Sequence, residues 1–245
     1  MQEYLVFRLY GPLASWGTTA VGEERPTADM PSRSALLGLL GAALGIRRDD
    51  GAALRALQDS VCFGVKQCAP GSLLRDYHTA QVPPQRSKVV HLTRQSELSD
   101  PKPETVLSKR DYRCDSLWVV AVWLTESSAY ALEQLQQALL RPVFQLYLGR
   151  KSCPPALPLT PTVCTVVTLK EALNQSFAPL TCSHKEDGWW LQHDQWARYC
   201  WEGDQDRLGG DVTHAVRTMP WDEPLSRDRW QFTQRVRYQL DEQEA

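Results

Sequence analysis

The chain has 245 residues, of which 42% are hydrophobic and 23% charged, and its formal net charge is −2. This size and composition are typical of a soluble globular protein with one large domain, or one domain with an appendage. The net charge argues against a generally basic nucleic-acid-binding surface, and the longest apolar run, 35–46, is too short to cross a bilayer, so we predict no membrane contact.

The N-terminus and the cysteines predict a cytoplasmic protein. The chain opens with Glu3 and strand-like alternation rather than with the basic region and apolar core of a signal peptide. Its seven cysteines are an odd number and form no Cys-x-x-Cys pair, which favours reduced thiols.

The first part of the chain predicts a strand, a helix and a second strand. Residues 4–10 form the first strand and 61–66 the second. An apolar helix over 35–44 lies between them, and Ser32 or Ser34 is suited to cap it.

Residues 70–113 differ from the segments around them. Five prolines interrupt the segment and its periodicity is poor. A polar stretch of this length within a compact domain is normally functional or disordered. We predict an insertion between two strands.

The second part repeats the pattern of the first. Residues 117–124 are almost continuously apolar, which predicts a strand at the centre of a sheet. A helix follows, capped by Ser127 or Ser128 and ending near Leu140, and an extended segment at 143–148 comes after it. Beyond Pro161 the candidate strands are short, at 163–168, 189–191, 212–219 and 230–240.

The order β-α-β-insertion-β-α-β predicts an α+β fold. It is the split βαβ, ferredoxin-like pattern that RNA-recognition domains use. We predict such a domain over 1–150, with its inserted hairpin at about 79–112. Residues 151–245 then form a small, mostly β C-terminal subdomain.

A cationic turn follows the extended segment, in Tyr147-Leu-Gly-Arg-Lys-Ser-Cys-Pro154. Gly149 allows close approach of backbone to a ligand. Arg150 offers a planar fork to phosphate, Lys151 a point charge and Ser152 a hydroxyl. The turn contains no acidic residue, so we predict an anion site.

A second loop, Gly11-Pro-Leu-Ala-Ser-Trp-Gly17, is a candidate partner for that turn. With Ser32, Ser34 and the helix they precede, it would present N–H groups to phosphate oxygens, and Arg25 and Arg33 bracket the region. The alternative is a tight turn whose Trp16 fills the core. The loop lacks the Gly-x-x-x-x-Gly-Lys-Ser/Thr pattern of nucleotide triphosphatases.

The segment Arg75-Asp-Tyr-His-Thr79 allows three interpretations. Tyr77 and His78 could take part in acid–base chemistry on RNA, with Lys88 and His91 near in sequence. They could instead stack on bases, or they could anchor the insertion as a hydrogen-bonded hinge. The cations and aromatic of 109–113 suit a single-stranded nucleic acid or a solvated strand edge.

Metal binding is not predicted. Cys182, His184, His193 and Cys200 match no standard zinc spacing. Trp189, Trp190, Trp196 and Trp201 could form either an interaction surface or a core.

In combination these motifs resemble the CasD family, subunits of type I-E CRISPR surveillance complexes (Cascade) within the RAMP superfamily of CRISPR RNA-binding proteins. The resemblance covers roughly 1–160 and rests on motifs in the family's order, namely 8–17, 31–45, 75–79, 114–115 and 147–154.

The resemblance implies a non-catalytic subunit without a cofactor that holds the 5′ handle of the CRISPR guide RNA (crRNA). The inserted hairpin would be a thumb that reaches toward the backbone subunit CasC, with Arg110 at its base near the RNA. The large subunit CasA would dock on this subunit, while CasB, CasE and target DNA would be indirect partners.

From the residues and the resemblance we predict one set of RNA-binding positions. They are Gly11, Ser15, Trp16, Gly17, Arg25, Ser32, Arg33, Ser34, Tyr77, His78, Arg110, Gly149, Arg150, Lys151 and Ser152. The alternative is a metal-independent endoribonuclease that processes CRISPR precursor RNA, as in the related type I-C system, with groups supplied by Tyr77, His78 and Lys88.

Overall fold

A computed structural model describes residues 1–84, 89–99, 102–191, 196–226 and 229–243. Within these ranges, no helix combines the length and the apolar character that crossing a membrane requires.

The described residues form a mixed α/β fold. The helices are α1 (Arg33–Leu44), α2 (Gly51–Ser60), α3 (Arg94–Leu98), α4 (Leu132–Leu140), α5 (Leu169–Leu173) and α6 (His184–Trp190), with a short 3-10 helix at Gln205–Leu208. The strands are β1 (Gln2–Tyr10), β2 (Leu13–Ala14), β3 (Trp16–Gly17), β4 (Glu24–Arg25), β5 (Thr27–Ala28), β6 (Val61–Ala69), β7 (Ser72–Val82), β8 (Glu104–Cys114), β9 (Leu117–Leu124), β10 (Thr162–Val166), β11 (Trp196–Trp201), β12 (Val216–Thr218), β13 (Glu223–Ser226), β14 (Gln231–Thr233) and β15 (Arg237–Gln243).

The main sheet confirms the predicted ferredoxin-like fold. Among the described residues it has seven strands in the order β10-β1-β9-β6-β11-β15-β12. The first four, β10, β1, β9 and β6, correspond to strands 4, 1, 3 and 2 of the split βαβ unit. Each of them pairs antiparallel with its neighbour. β9 lies inside the sheet, as its apolar sequence predicts, and Val120 pairs with Phe7.

Each face of the sheet supports its own core. Leu5, Phe7 and Leu9 alternate along β1 and pack with α1 and α4. Tyr4 and Val6 point to the other face, where they pack with α5. This alternation explains why the central strands read as continuous apolar runs: both faces are covered.

Helix α1 begins and ends as predicted. The Ser32 side chain caps its N-terminus, and Gly45 ends it in the left-handed conformation at φ +77°. A β-carbon at Gly45 would lie 2.8 Å from Val143, so this position requires glycine on steric grounds as well.

The insertion is a long antiparallel hairpin. Its register runs from Ser72 opposite Cys114 to Val82 opposite Glu104, so the hairpin starts several residues before the predicted position 79. α3 lies between the two strands in sequence.

The predicted extended segment 143–148 is not a strand. The N–H groups of Val143 and Phe144 donate to the carbonyl oxygens of Ala43 and Ala42, and so take up acceptors at the end of α1. β10 takes the fourth place in the split βαβ unit instead.

The predicted cap of α4 is also wrong. The helix begins at Leu132 after Ala131, which makes no side-chain capping bond. The Ser128 hydroxyl donates to the Tyr130 carbonyl oxygen in the preceding turn. Ser128 therefore stabilises the turn rather than the helix.

In the C-terminal part, 189–191 lies at the end of helix α6 and not in a strand. The Ser183 hydroxyl accepts a hydrogen bond from the Glu186 N–H and caps this helix. β11, which we did not predict, pairs with β6. The part of the chain after residue 150 therefore contributes strands to the main sheet. The division of the chain at residue 150 stays a prediction.

Candidate nucleic-acid interface

The cationic turn is a tight turn packed under the loop that follows β1. The Cys153 N–H donates to the Arg150 carbonyl oxygen at 2.9 Å, and the Ser15 N–H donates to the Leu148 carbonyl oxygen at 3.0 Å. Gly149 has φ +85°, and a β-carbon there would lie 1.9 Å from the Ser15 carbonyl oxygen. The close approach that we predicted for a ligand is therefore an approach of the chain to itself.

Three predicted binding residues lie in the interior. Ser15 is buried and its hydroxyl donates to the Asp111 carbonyl oxygen at 2.9 Å. Trp16 is buried edge-on against Trp118, with 5.3 Å between ring centroids, so the alternative that it fills the core is correct. Gly11 is also buried. These residues position the turn, while Gly17 is exposed beside them.

The N-terminus of α1 already holds an internal anion. The Arg33 N–H donates to the Asp222 carboxylate at 2.8 Å. The Ser32 hydroxyl accepts from the Ala35 N–H, and the Ser34 hydroxyl lies 3.0 Å from that of Ser32. The prediction that a phosphate occupies this helix end is wrong, because Asp222 uses the donor.

The Arg33 guanidinium is likewise unavailable to RNA. It is buried and contacts the carboxylates of Glu202 at 2.6 Å and Glu223 at 2.5 Å. Burial raises the pKa of Glu202, and the positive charges of Arg33 and Arg235 oppose this shift. The prediction that Arg33 binds RNA together with the cationic turn is therefore wrong, because a buried guanidinium needs carboxylate partners and Arg33 has them.

Other predicted cations do come together, at the base of the hairpin. Arg25 lies opposite Arg110 where β4 pairs in parallel with β8. Arg150 donates to the Arg25 carbonyl oxygen at 2.9 Å, and its guanidinium lies 5.0 Å from the ring centre of Tyr112. Lys151 follows and is exposed. We call Arg25, Arg110, Arg150 and Lys151 the cationic surface.

An open groove of about 440 Å³ runs beside the cationic surface. Arg25, His78 and Arg110 line it, together with Glu23 and Ser108. The Arg110 Nε donates to the Ser108 hydroxyl at 3.2 Å, which orients the guanidinium. Ser152, another predicted binding residue, is exposed on the cationic turn.

The two faces of the hairpin carry different charged residues and different ion pairs. Side chains alternate along a strand, so Tyr77 points away from the face that carries His78. On the Tyr77 face, Arg75 pairs with Asp111 at 2.8 Å and Lys109 pairs with Glu24 at 2.9 Å. The hydrogen bond from Arg75 lowers the pKa of Asp111. That face is thus largely paired internally. On the opposite face, Asp76 lies opposite Arg110 and 3.7 Å from His78, and Arg25 adds a second cation from β4.

We noted the aromatic residue of 109–113 in the sequence but did not predict that Tyr112 supports Arg150. The alternation in 109–113 could have revealed it, because period two places Arg110 and Tyr112 on one face and Lys109 and Asp111 on the other. The carboxylates around Arg33 left no such local signal, since they lie about 170 residues or more further along the chain.

The tryptophans and the candidate metal ligands that the sequence singled out have different outcomes. Trp189, Trp190 and Trp196 are exposed, whereas Trp201 is buried. Within the described ranges, no group of three or more His, Cys, Asp or Glu residues could hold a metal ion. His193 and Lys88 lie outside the described residues.

A ferredoxin-like sheet with an inserted hairpin and a cationic hairpin base defines a RAMP-type protein. The profile of the family described as CRISPR-associated protein (Cas_Cas5) matches residues 4–238. The chain belongs to the Cas5 family of CRISPR-associated proteins.

Two further comparisons agree with this assignment. The chain is 40% identical to the CRISPR system Cascade subunit CasD of Escherichia coli (strain K12). The match extends over 182 residues, which is 71% of this chain and 76% of that protein. A chain of a solved CRISPR RNA-guided surveillance complex matches with a TM-score of 0.66 and 27% identity, over 98% of this chain and 89% of the other. The crystal structure of a Cas protein, at 23% identity and a TM-score of 0.57 over 98% and 94%, has the same fold.

Proposed function

We propose that this protein is a non-catalytic guide-RNA-binding subunit of a type I-E CRISPR surveillance complex, and that its cationic surface seats the 5′ handle of the guide. Membership of the Cas5 family and the similarity to CasD support the assembly. The observation that carries the RNA site is the register of Arg25 opposite Arg110, with Arg150 bonded to the Arg25 backbone.

The chemistry of this surface suits a phosphate chain. Like charges held in neighbouring strands repel each other, and a polyanion between them relieves that repulsion. Arginine forks bind phosphate oxygens in a bidentate manner, and Lys151 adds a mobile charge. Phosphate contacts position a strand, while splayed bases supply the specificity. We propose that His78, which lines the groove, stacks on such a base.

The hairpin beyond this surface is the proposed thumb that contacts CasC. Val90 and Leu92, between its strands in sequence, are 79% and 90% exposed. Exposed apolar side chains of this kind support docking on a neighbouring protein. In the same proposal CasA is a direct partner, and CasB, CasE and target DNA are indirect ones. The seven free thiols suit a cytoplasmic location.

The endoribonuclease alternative receives less support from the hairpin. Tyr77 and His78 are adjacent in one strand and therefore point to opposite faces, so they are poorly placed to act on one phosphate. Incubating the purified protein with repeat RNA in EDTA distinguishes the two functions. Specific cleavage would support the enzyme, and intact RNA the binding subunit.

The test of RNA binding reverses the charge of the turn. We expect Arg150→Glu with Lys151→Glu, co-expressed with the other subunits, to abolish guide retention in the purified assembly without unfolding the protein. Arg55→Glu with Arg141→Glu is the charge-matched control, because both arginines are exposed and neither belongs to the cationic surface. An unchanged guide content in the turn variant would refute the proposal.

A further inference from the structure

A second cleft, of about 350 Å³, lies on the face of the sheet opposite α1. Arg8 and Lys66 of the sheet line one side of it, and Phe177, Leu180 and Gly188 line the other. We call it the sheet cleft. The four residues of the cationic surface do not line it, so a ligand site in this cleft is independent of the proposed function.

Arg8 is a buried cation at the floor of the sheet cleft. Its side chain lies on the same face of β1 as Tyr4 and Val6, and the residue is 8% exposed. The guanidinium donates to the Ala178 carbonyl oxygen and lies 5.7 Å from the ring centre of Phe177. Its buried Nε has no hydrogen-bond acceptor among the described residues.

The carboxylate of Asp187, which also lines the sheet cleft, is held by other donors. The oxygens of Asp187 accept hydrogen bonds from the N–H groups of Leu180 and Thr181 at 2.7 and 2.8 Å, and from the Thr181 hydroxyl. Burial lowers the pKa of Arg8 and the charge of Asp187 only opposes this shift. The guanidinium is therefore desolvated, and no carboxylate among the described residues is in direct contact with it.

A second cation lies in the same cleft. Lys66 is also 8% exposed, and its ammonium donates to the Asn174 side-chain oxygen at 2.8 Å. Buried charges are costly unless an opposite charge and hydrogen bonds offset the loss of water. An anion in the cleft would supply both to Arg8.

The dimensions of the cleft limit the ligand. Ligand pockets span about 300–1,000 Å³, so the sheet cleft suits a small molecule. Its apolar walls include Leu117, Phe177 and Leu180, which suit a flat ring, and the side chain of His184 is 67% exposed at the edge. The combination of a cationic floor with apolar walls matches a phosphate attached to a base.

We propose that the sheet cleft binds a mononucleotide-sized ligand, with its phosphate on Arg8 and Lys66 and its base against the apolar wall. The full-length protein would be titrated calorimetrically with inorganic phosphate, adenosine 5′-monophosphate and adenosine. We expect the monophosphate to bind more tightly than inorganic phosphate, and adenosine not to bind.

Variants at Gly188 locate the binding in this cleft. A β-carbon there meets nothing within 4 Å, so Gly188→Glu and Gly188→Gln should both fold. The carboxylate should weaken monophosphate binding by about tenfold or more, while the amide of equal size should change it little. Arg8→Met should abolish binding, and Arg150→Glu with Lys151→Glu should preserve it.

Three results would overturn the proposal. The first is that the wild-type protein binds neither inorganic phosphate nor the monophosphate. The second is that adenosine and the monophosphate bind equally well. The third is that the Gly188→Glu and Gly188→Gln variants bind the monophosphate with equal affinity.

Discussion

The amide N–H of Arg33 donates to the carboxylate of Asp222 at 2.8 Å, across 189 residues of sequence. Asp222 also accepts from Arg235 at 2.7 Å, and Arg235 contacts Glu202 at 3.2 Å. With the pair of Arg33 and Glu202, these bonds form a buried network that ties the C-terminal strands to the start of α1.

Removing the cation at the centre of this network should be costly. Arg33→Ala leaves buried Glu202 and half-buried Glu223 without that partner, and we expect the free energy of unfolding to fall by about 3–5 kcal/mol. Urea denaturation measures this change. The control is Arg47→Ala, which removes an exposed pair with Asp49 and should cost about 0–1 kcal/mol. Equal losses in the two variants would contradict a structural role for the network.

Gly149 should tolerate no side chain. Gly149→Ala places a β-carbon 1.9 Å from the Ser15 carbonyl oxygen at a φ of +85°, so the turn must shift. We expect a loss of more than about 1 kcal/mol in the free energy of unfolding, and weaker guide retention because Arg150 moves with the turn. Gly51→Ala is the control, since a β-carbon there meets nothing within 4 Å. A turn variant as stable as this control would count against the steric argument.

Arg110 and Lys109 should differ in RNA binding although they are neighbours. Arg110 lines the groove, whereas Lys109 points to the opposite face and pairs with Glu24. Arg110→Gln should reduce the slope of log affinity against log salt by about one, the amount expected for one phosphate contact. Lys109→Gln should leave the slope nearly unchanged. Filter binding of handle RNA over a salt series measures both, and the reverse order would invalidate the assignment of faces.

Asp111 should make the stability of the hairpin dependent on pH. The hydrogen bond from Arg75 holds the pKa of Asp111 below its ordinary value of 3.8. Because the folded-state pKa is depressed, this contribution to stability is present above pH 3.8 and is lost as the pH falls through the folded-state value.

The corresponding measurement compares Asp111→Asn with the wild type. We expect the variant to be less stable near neutral pH, and the difference in unfolding free energy to shrink as the pH falls below 3.8. Arg75→Gln removes the same hydrogen bond, so the difference in unfolding free energy between this variant and the wild type should also shrink as the pH falls below 3.8. A difference that stays constant over this range would show that the carboxylate does not titrate as the pair predicts.

Local signals in the sequence were enough to predict several elements and the family. Alternating and continuous apolar runs located β1, β6 and β9, and Ser32, one of two candidate caps, lies at the start of α1. Together with the motif order they predicted the ferredoxin-like fold. Arg25, Arg150 and Lys151 were also among the predicted binding residues, because cations in loops and turns can be recognised from the sequence, whereas Arg110 was predicted from the family resemblance.

Which of the predicted residues are free to act depends on the folded chain. Arg33 and the helix end behind it match a phosphate site in sequence, yet carboxylates from 202–223 occupy both. The sequence around Ser15 and Trp16 was compatible with either a phosphate-binding loop or a tight turn that fills the core, and the structure shows that both residues are buried beside the turn at Gly149. The reason is physical: local sequence sets backbone conformation and residue type, whereas burial and ion pairing depend on segments that meet only when the chain folds.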